Sequence, residues 1–285
     1  MSNVLDQLVQ LLALERIEVN LFRGQSQDLG WGAVFGGQVL GQSLSAAVQT
    51  VPPERHVHSL HAYFLRAGDV KKPILYDVDR IRDGSTFTTR RVNAIQNGHA
   101  IFSMSASFQL EEAGFEHQDA MPEAPAPESL KSELELVKAL KIPDAIKERI
   151  SSPRPFELRF TPIEDDLFHP SPRPPRRMVW LRAVDKLPDD PALHRYLLAY
   201  ASDHGFVTTA LMPHGVTWMT PGMQIASLDH AMWFLRPFRV DEWLLHVIDS
   251  PAAHGARGFV RGSIYNRKGE LVACTAQEGL IRQRK

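Results

Sequence analysis

The chain has 285 residues, 44% hydrophobic and 23% charged, enough to bury one large core or two medium ones. Its net charge of -1 argues against a polyanion-coating protein, because nucleic-acid binders carry a clear basic excess. A single cysteine, Cys274, excludes an internal disulfide framework, and no apolar run approaches the roughly 20 residues of a membrane span.

In chain order, the first strong signal is residues 36–48, Gly-Gly-Gln-Val-Leu-Gly-Gln-Ser-Leu-Ser-Ala-Ala-Val, uncharged and rich in small side chains. This predicts a helix enclosed by protein. Strand formers then alternate over 73–82 and 85–96, the Asn97-Gly98 pair marks a two-residue turn, and 100–109 completes an antiparallel meander. Eleven of the 20 prolines fall between Pro122 and Pro175. They surround an amphipathic segment, 132–140, so this stretch reads as a surface connector with one short helix. A second apolar helix is expected over 196–211. Strands follow near 224–236, 242–249, 258–266 and 271–282.

The chain repeats itself. His61-Ala-Tyr-Phe-Leu-Arg66 is echoed by His230-Ala-Met-Trp-Phe-Leu-Arg236 with one residue inserted, and each is followed by strand, polar turn and strand. Repeats of this length are whole folding units. One helix packed on one antiparallel sheet, made twice, is the simplest α+β reading. It divides the chain into an N-terminal unit (1–115), a proline-rich connector (116–176) and a C-terminal unit (177–285).

Differences between the copies point to a site in the second. Asp203 is the only side chain formally charged at pH 7 in 196–211, and a lone buried carboxylate costs several kcal/mol unless paired. It reads either as a capping residue beside Gly205 or as a general base on a rigid element. The first helix has no acidic counterpart. Matching Gly98 to Gly269 sets Gln277 opposite Ala106, and Ser227 precedes the Asp229-His230 pair of the repeat. By spacing alone these two are satisfied polar groups of a sheet or partners for Asp203.

Other motifs are missing. There is no Gly-x-Ser-x-Gly nucleophile elbow, no dinucleotide fingerprint and no phosphate-binding Gly-x-x-x-x-Gly-Lys, so these chemistries lose their main sequence support. His56, His58 and His61 cluster without the spacing of a zinc site. No metal or other cofactor is expected. Cys274 reads as a small apolar side chain of a strand. With no charged-then-apolar leader at Met1 and no Ser-Lys-Leu type ending, a cytoplasmic protein without stable membrane association is expected.

The chain resembles the acyl-CoA thioesterase II family of double-hotdog thioester hydrolases. The resemblance runs nearly end to end, through Leu21-Phe-Arg-Gly-Gln-Ser26, Val34-Phe-Gly-Gly-Gln-Val39, His58-Ser-Leu-His-Ala-Tyr-Phe-Leu-Arg66, Gly114-Phe-Glu-His117, Tyr200-Ala-Ser-Asp203, Asp229-His-Ala-Met-Trp233 and Gly258-Phe-Val-Arg-Gly262. It implies a double hotdog, two tandem curved antiparallel sheets each packed around a central helix. It also implies hydrolysis of acyl-CoA to fatty acid and coenzyme A, with an Asp, a Thr or Ser, and a Gln carried by Asp203, Ser227 and Gln277. Serine at the middle position departs from the threonine of bacterial members. Arg257 and Arg261 are the expected partners of coenzyme A phosphates, His58 is a further expected substrate-binding residue, and a homodimer or homotetramer is expected. Two rival readings also bind acyl-CoA: a hotdog hydratase or dehydratase, for which His58 or His61 would be the catalytic histidine, and a non-catalytic binding module.

Overall fold

The two copies of the repeated segment are hydrogen-bonded to each other. In the computed structural model, which describes residues 3–139, 147, 151–161 and 170–284, β3 (Arg55–Phe64) and β10 (Asp229–Phe234) pair antiparallel, with His61 opposite Ala231 and Ala62 opposite His230. Outward from β3 run β6 (His99–Leu110), β5 (Phe87–Gln96), β4 (Ile74–Asp83), β2 (Leu21–Gly24) and β1 (Glu15–Glu18). Outward from β10 run β13 (Leu271–Gln283), β12 (Arg257–Asn266), β11 (Leu244–His254), β8 (Arg176–Ala183) and β7 (Phe156–Phe160), while β9 (Met223–Ser227) pairs with the far end of β13. The expected two sheets are thus joined edge to edge into one antiparallel sheet of 13 strands. Each strand except β9 has a counterpart across the β3–β10 seam.

The helices pack on one face of this sheet. α2 (Gly36–Val48) is buried from Gly37 to Ala47, as its uncharged sequence predicts. It lies against α4 (Pro191–Ser202), and glycine decides how closely: a Cβ on Gly37 would collide with the Tyr200 carbonyl oxygen, and one on Gly41 would sit 3.2 Å from that of Tyr196. α1 (Asn3–Leu12) buries Leu5, Leu8 and Leu12 beside α2. One apolar cluster runs through both halves, from Leu40, Leu44, Leu60 and Met104 to Leu197, Leu198, Met232 and Phe234. Among the described residues no helix is long and apolar enough to cross a membrane.

Three expectations change. The helix expected over 196–211 ends at Ser202; Gly205 turns the chain at φ +63°, and a 3₁₀ segment, Val207–His214, follows. Apolar composition does not register a residue that must enter the left-handed region. The strand expected over 224–236 breaks at Leu228, whose N–H donates to Glu278 and whose carbonyl accepts from Phe64. The connector holds more than a helix: besides α3 (Glu133–Ala139) it contains β7, the counterpart of β1. Leu140, the last residue of the expected connector helix, lies outside the described residues.

Candidate active site

Asp203 is the C-cap residue of α4 and is 8% exposed. A carboxylate there faces the negative end of its own helix and has lost most of its water, both unfavourable. Three features offset this. Ser227 Oγ donates to Asp203 Oδ1 at 3.0 Å, and Gln277 Nε2 donates to the same oxygen at 2.8 Å. The third is the start of α2, where a Cβ on Gly36 would lie only 2.6 Å from Asp203 Oδ2. Phe35 begins α2 without a side-chain cap, so the first amides have no intrahelical partner and the positive end of a helix dipole adjoins the carboxylate.

Local structure explains how the three side chains meet. Ser227 is the last residue of β9 and pairs with Gly279 of β13. Gln277 is two residues from Gly279 along β13, so by strand alternation it stands on the same, helix-facing side. Gly205 folds the chain back after α4 and leaves Asp203 pointing at that side. Asp229 takes no part, because its carboxylate accepts the Glu278 amide at 2.6 Å. Burial raises its pKa. His230 adjoins the site: it is 0% exposed, its Nε2 lies 3.0 Å from Ser202 Oγ, and burial lowers its pKa against the opposing charge of Asp203.

Asp203, Ser227 and Gln277 are therefore brought together, whereas the other expected residues are not. His58 Nε2 is bonded to Ser107 Oγ at 2.8 Å and its ring meets Phe87 edge-on at 5.7 Å. Arg257 is paired with Glu278 at 2.8 Å and Arg261 with Asp249 at 3.0 Å. Both arginines alternate with Gly258, Val260 and Gly262 of β12, which face the helices, so they stand on the opposite side of the sheet from Gln277. Gly36 and His230 were not anticipated as site residues. A Gly-Gly pair at the start of a buried helix signals close backbone approach; the burial that separates His230 from its exposed repeat partner His61 leaves no trace in sequence.

The mirror-related position in the first half is closed. Arg90 pairs with Ala106 as Val260 pairs with Gln277. Its guanidinium, 1% exposed, donates from Nε to Thr50 Oγ1 at 2.9 Å, from Nη2 to the Thr50 carbonyl at 3.0 Å and to Asp83 at 2.6 Å. A cation and the end of α2 occupy the place that a carboxylate and an amide hold in the second half.

The fold is that of a double hotdog. The sequence profile of the acyl-CoA thioesterase family matches residues 165–280, and that of the acyl-CoA thioesterase N-terminal domain matches 26–109. The chain is 44% identical to acyl-CoA thioesterase 2 of Haemophilus influenzae over 284 residues, 99% of each chain. A crystal structure of an acyl-CoA thioesterase II from Mycobacterium marinum superposes with a TM-score of 0.81 at 44% identity, covering 98% of this chain and 99% of that one. A hot dog fold protein from Alicyclobacillus acidocaldarius shares the fold at 19% identity, with a TM-score of 0.77 over 98% and 99% of the two chains. The chain belongs to the acyl-CoA thioesterase family, and its activity is the hydrolysis of acyl-CoA thioesters.

Proposed function

We propose that Asp203 is the general base that activates water for attack on the thioester carbonyl. One observation carries this reading: Oδ1 of a buried carboxylate takes both Ser227 and Gln277, while Oδ2, which accepts no hydrogen bond among the described residues, is turned to the uncapped start of α2. The two donors fix the carboxylate plane, and Oδ2 is left to accept a proton from water. Water oxygen bonds to the acyl carbon, its proton passes to Oδ2, and negative charge develops on the carbonyl oxygen. The first amides of α2 are the donors best placed for that charge, since preorganised N–H groups at a helix start stabilise an oxyanion without reorganising. The carbon–sulfur bond then breaks. A thiol with a pKa near 8.5 departs largely as thiolate, so no strong general acid is required. The proton held on Oδ2 then passes to the thiolate or to solvent, which restores the Asp203 carboxylate; free acid and coenzyme A result, and no cofactor enters the scheme.

Asp203→Asn tests the assignment, because it keeps size and hydrogen bonding while removing the base. Thiol release should fall by about 10²- to 10⁴-fold with the melting temperature unchanged, as expected for loss of a general base. Retention of more than about a tenth of kcat would overturn it. We further propose that the chain assembles as a homodimer or homotetramer. Supporting this are apolar side chains left at the surface, above all Phe115, which is fully exposed, and Tyr63 at 63%.

A further inference from the structure

Gln277 is the one site residue whose end can sit two ways round. Its Nε2 must face Asp203, since the flipped amide would set two acceptors together with no proton between them. The amide is 1% exposed, and its Oε1 is buried without a hydrogen bond of ordinary geometry. His230 Nδ1 is buried in the same condition. These two atoms belong to neighbouring strands in matching register. Ala231 pairs with Ala276, so the next step along the antiparallel ladder sets His230 directly opposite Gln277, on the helix-facing side, at a Cβ separation of about 4.5–5.5 Å.

The tautomer decides whether the two atoms help or oppose each other. With the proton on Nε2, Nδ1 and Oε1 are two buried lone pairs facing each other, each lacking a partner. With the proton on Nδ1, the ring donates to Oε1, and Nε2 accepts from Ser202 Oγ, 3.0 Å away, once that hydroxyl turns from the Ala199 carbonyl it otherwise meets at 2.9 Å. Every polar atom of the His230 and Gln277 side chains then has a partner. We propose that His230 is a positioning residue for the thioesterase reaction: Nδ1–H holds Gln277 Oε1, and this fixes the amide with Nε2 on Asp203. The connections close a ring from Ser202 through His230 and Gln277 to Asp203, whose ends are consecutive residues of the chain. The inference rests on the base assignment made above for Asp203.

The experiment measures thiol release from an acyl-CoA by the full chain, in a cycle that combines His230→Leu with Gln277→Ala. His230→Leu should lower kcat by about tenfold or more with KM within about threefold, since an orienting residue acts on the chemical step. In the Gln277→Ala background the same change should cost no more than about twofold, because the group it orients is absent. His230→Asn sets an amide N–H near the Nδ1 position and should restore kcat to within about threefold of wild type. Additive losses in the cycle, or an asparagine no better than leucine, would overturn the proposal. Should His230→Leu fail to fold, His230→Gln takes its place, with its N–H further out, and the same two outcomes decide. An inactive Asp203→Asn with an uncoupled His230 would sink this inference alone; an active Asp203→Asn would sink the base assignment.

Discussion

A methyl group on Gly36 would stand 2.6 Å from Asp203 Oδ2 and 2.8 Å from the Phe64 ring, closer than real side chains come. Gly36→Ala therefore pushes the carboxylate out of its bonds with Ser227 and Gln277, and kcat should fall by about 10- to 100-fold, the equivalent of one charge-assisted hydrogen bond. A Gly36→Ala enzyme with wild-type kcat would show that Oδ2 need not lie against α2. Ser227→Ala and Gln277→Ala should each lower kcat more than they raise KM. Gln277 should matter more, being fully buried with the shorter bond, whereas Ser227 is half-buried and can borrow water in place of its hydroxyl. A change in KM alone would recast that residue as a substrate-binding group. Asp203 and Gln277 stood out in the sequence because each breaks the symmetry between the repeat copies, whereas Ser227 and the roles of all three rested on the family resemblance. Gly36 and His230 were not legible: one acts by lacking atoms, the other through burial and cross-strand register, neither of which spacing encodes.

Among the elements, the crossing of α2 and α4 is the most exacting contact, since backbone meets backbone at Gly37. Gly37→Ala must separate the helices, and overpacking of this kind costs about 1–3 kcal/mol, readable as a lower urea midpoint. An unchanged midpoint would mean that the crossing relaxes without penalty. Arg90 fills the mirror-related site, and replacing it by leucine leaves the Thr50 carbonyl without this buried donor. Loss of one partner of a buried charged group costs about 3–5 kcal/mol, less here because Asp83 is exposed. Stability should fall while kcat per folded chain is kept; a parallel loss of kcat would show that the closed position still serves the reaction. Composition revealed α2, uncharged and rich in small side chains, and periodicity revealed the strands from β4 to β6 because their apolar faces are regular. It missed β7, a five-residue strand flanked by Pro153, Pro155 and Pro162, together with β8, the strand with which it pairs. It overran α4 because Gly205 lies within an apolar run.

The whole molecule carries a pH dependence set by buried imidazoles. His246 is enclosed between Phe206, stacked at 5.2 Å, and Thr275, bonded at 3.1 Å. Burial, with Arg177 and His230 nearby, brings its pKa down from 6.5 to about 3. His230 and His194 are lowered by burial as well. The unfolded chain thus binds protons that the folded one refuses, so the stabilising contribution is complete above pH 6.5 and declines as pH falls toward about 3. The His246 part of the slope approaches about 1.4 kcal/mol per pH unit. Urea midpoints measured from pH 7 down to 4.5 should fall steadily, and His246→Gln should flatten the curve; a slope unchanged by that substitution would remove His246 as its source. Light scattering at micromolar concentration should return the mass of two or four 32.1 kDa chains. A monomer mass would refute the assembly.

The seam between β3 and β10 has a consequence for how activity responds to dilution. Asp203, Ser227 and Gln277 come from one half and Gly36 from the other, so the site exists only while the halves are docked. Two separate chains would lose such a site as concentration fell below their dissociation constant. Here the connector makes docking of the halves an intramolecular event, independent of protein concentration. Specific activity per chain should accordingly stay constant from micromolar to nanomolar enzyme, whatever the larger assembly does over that range.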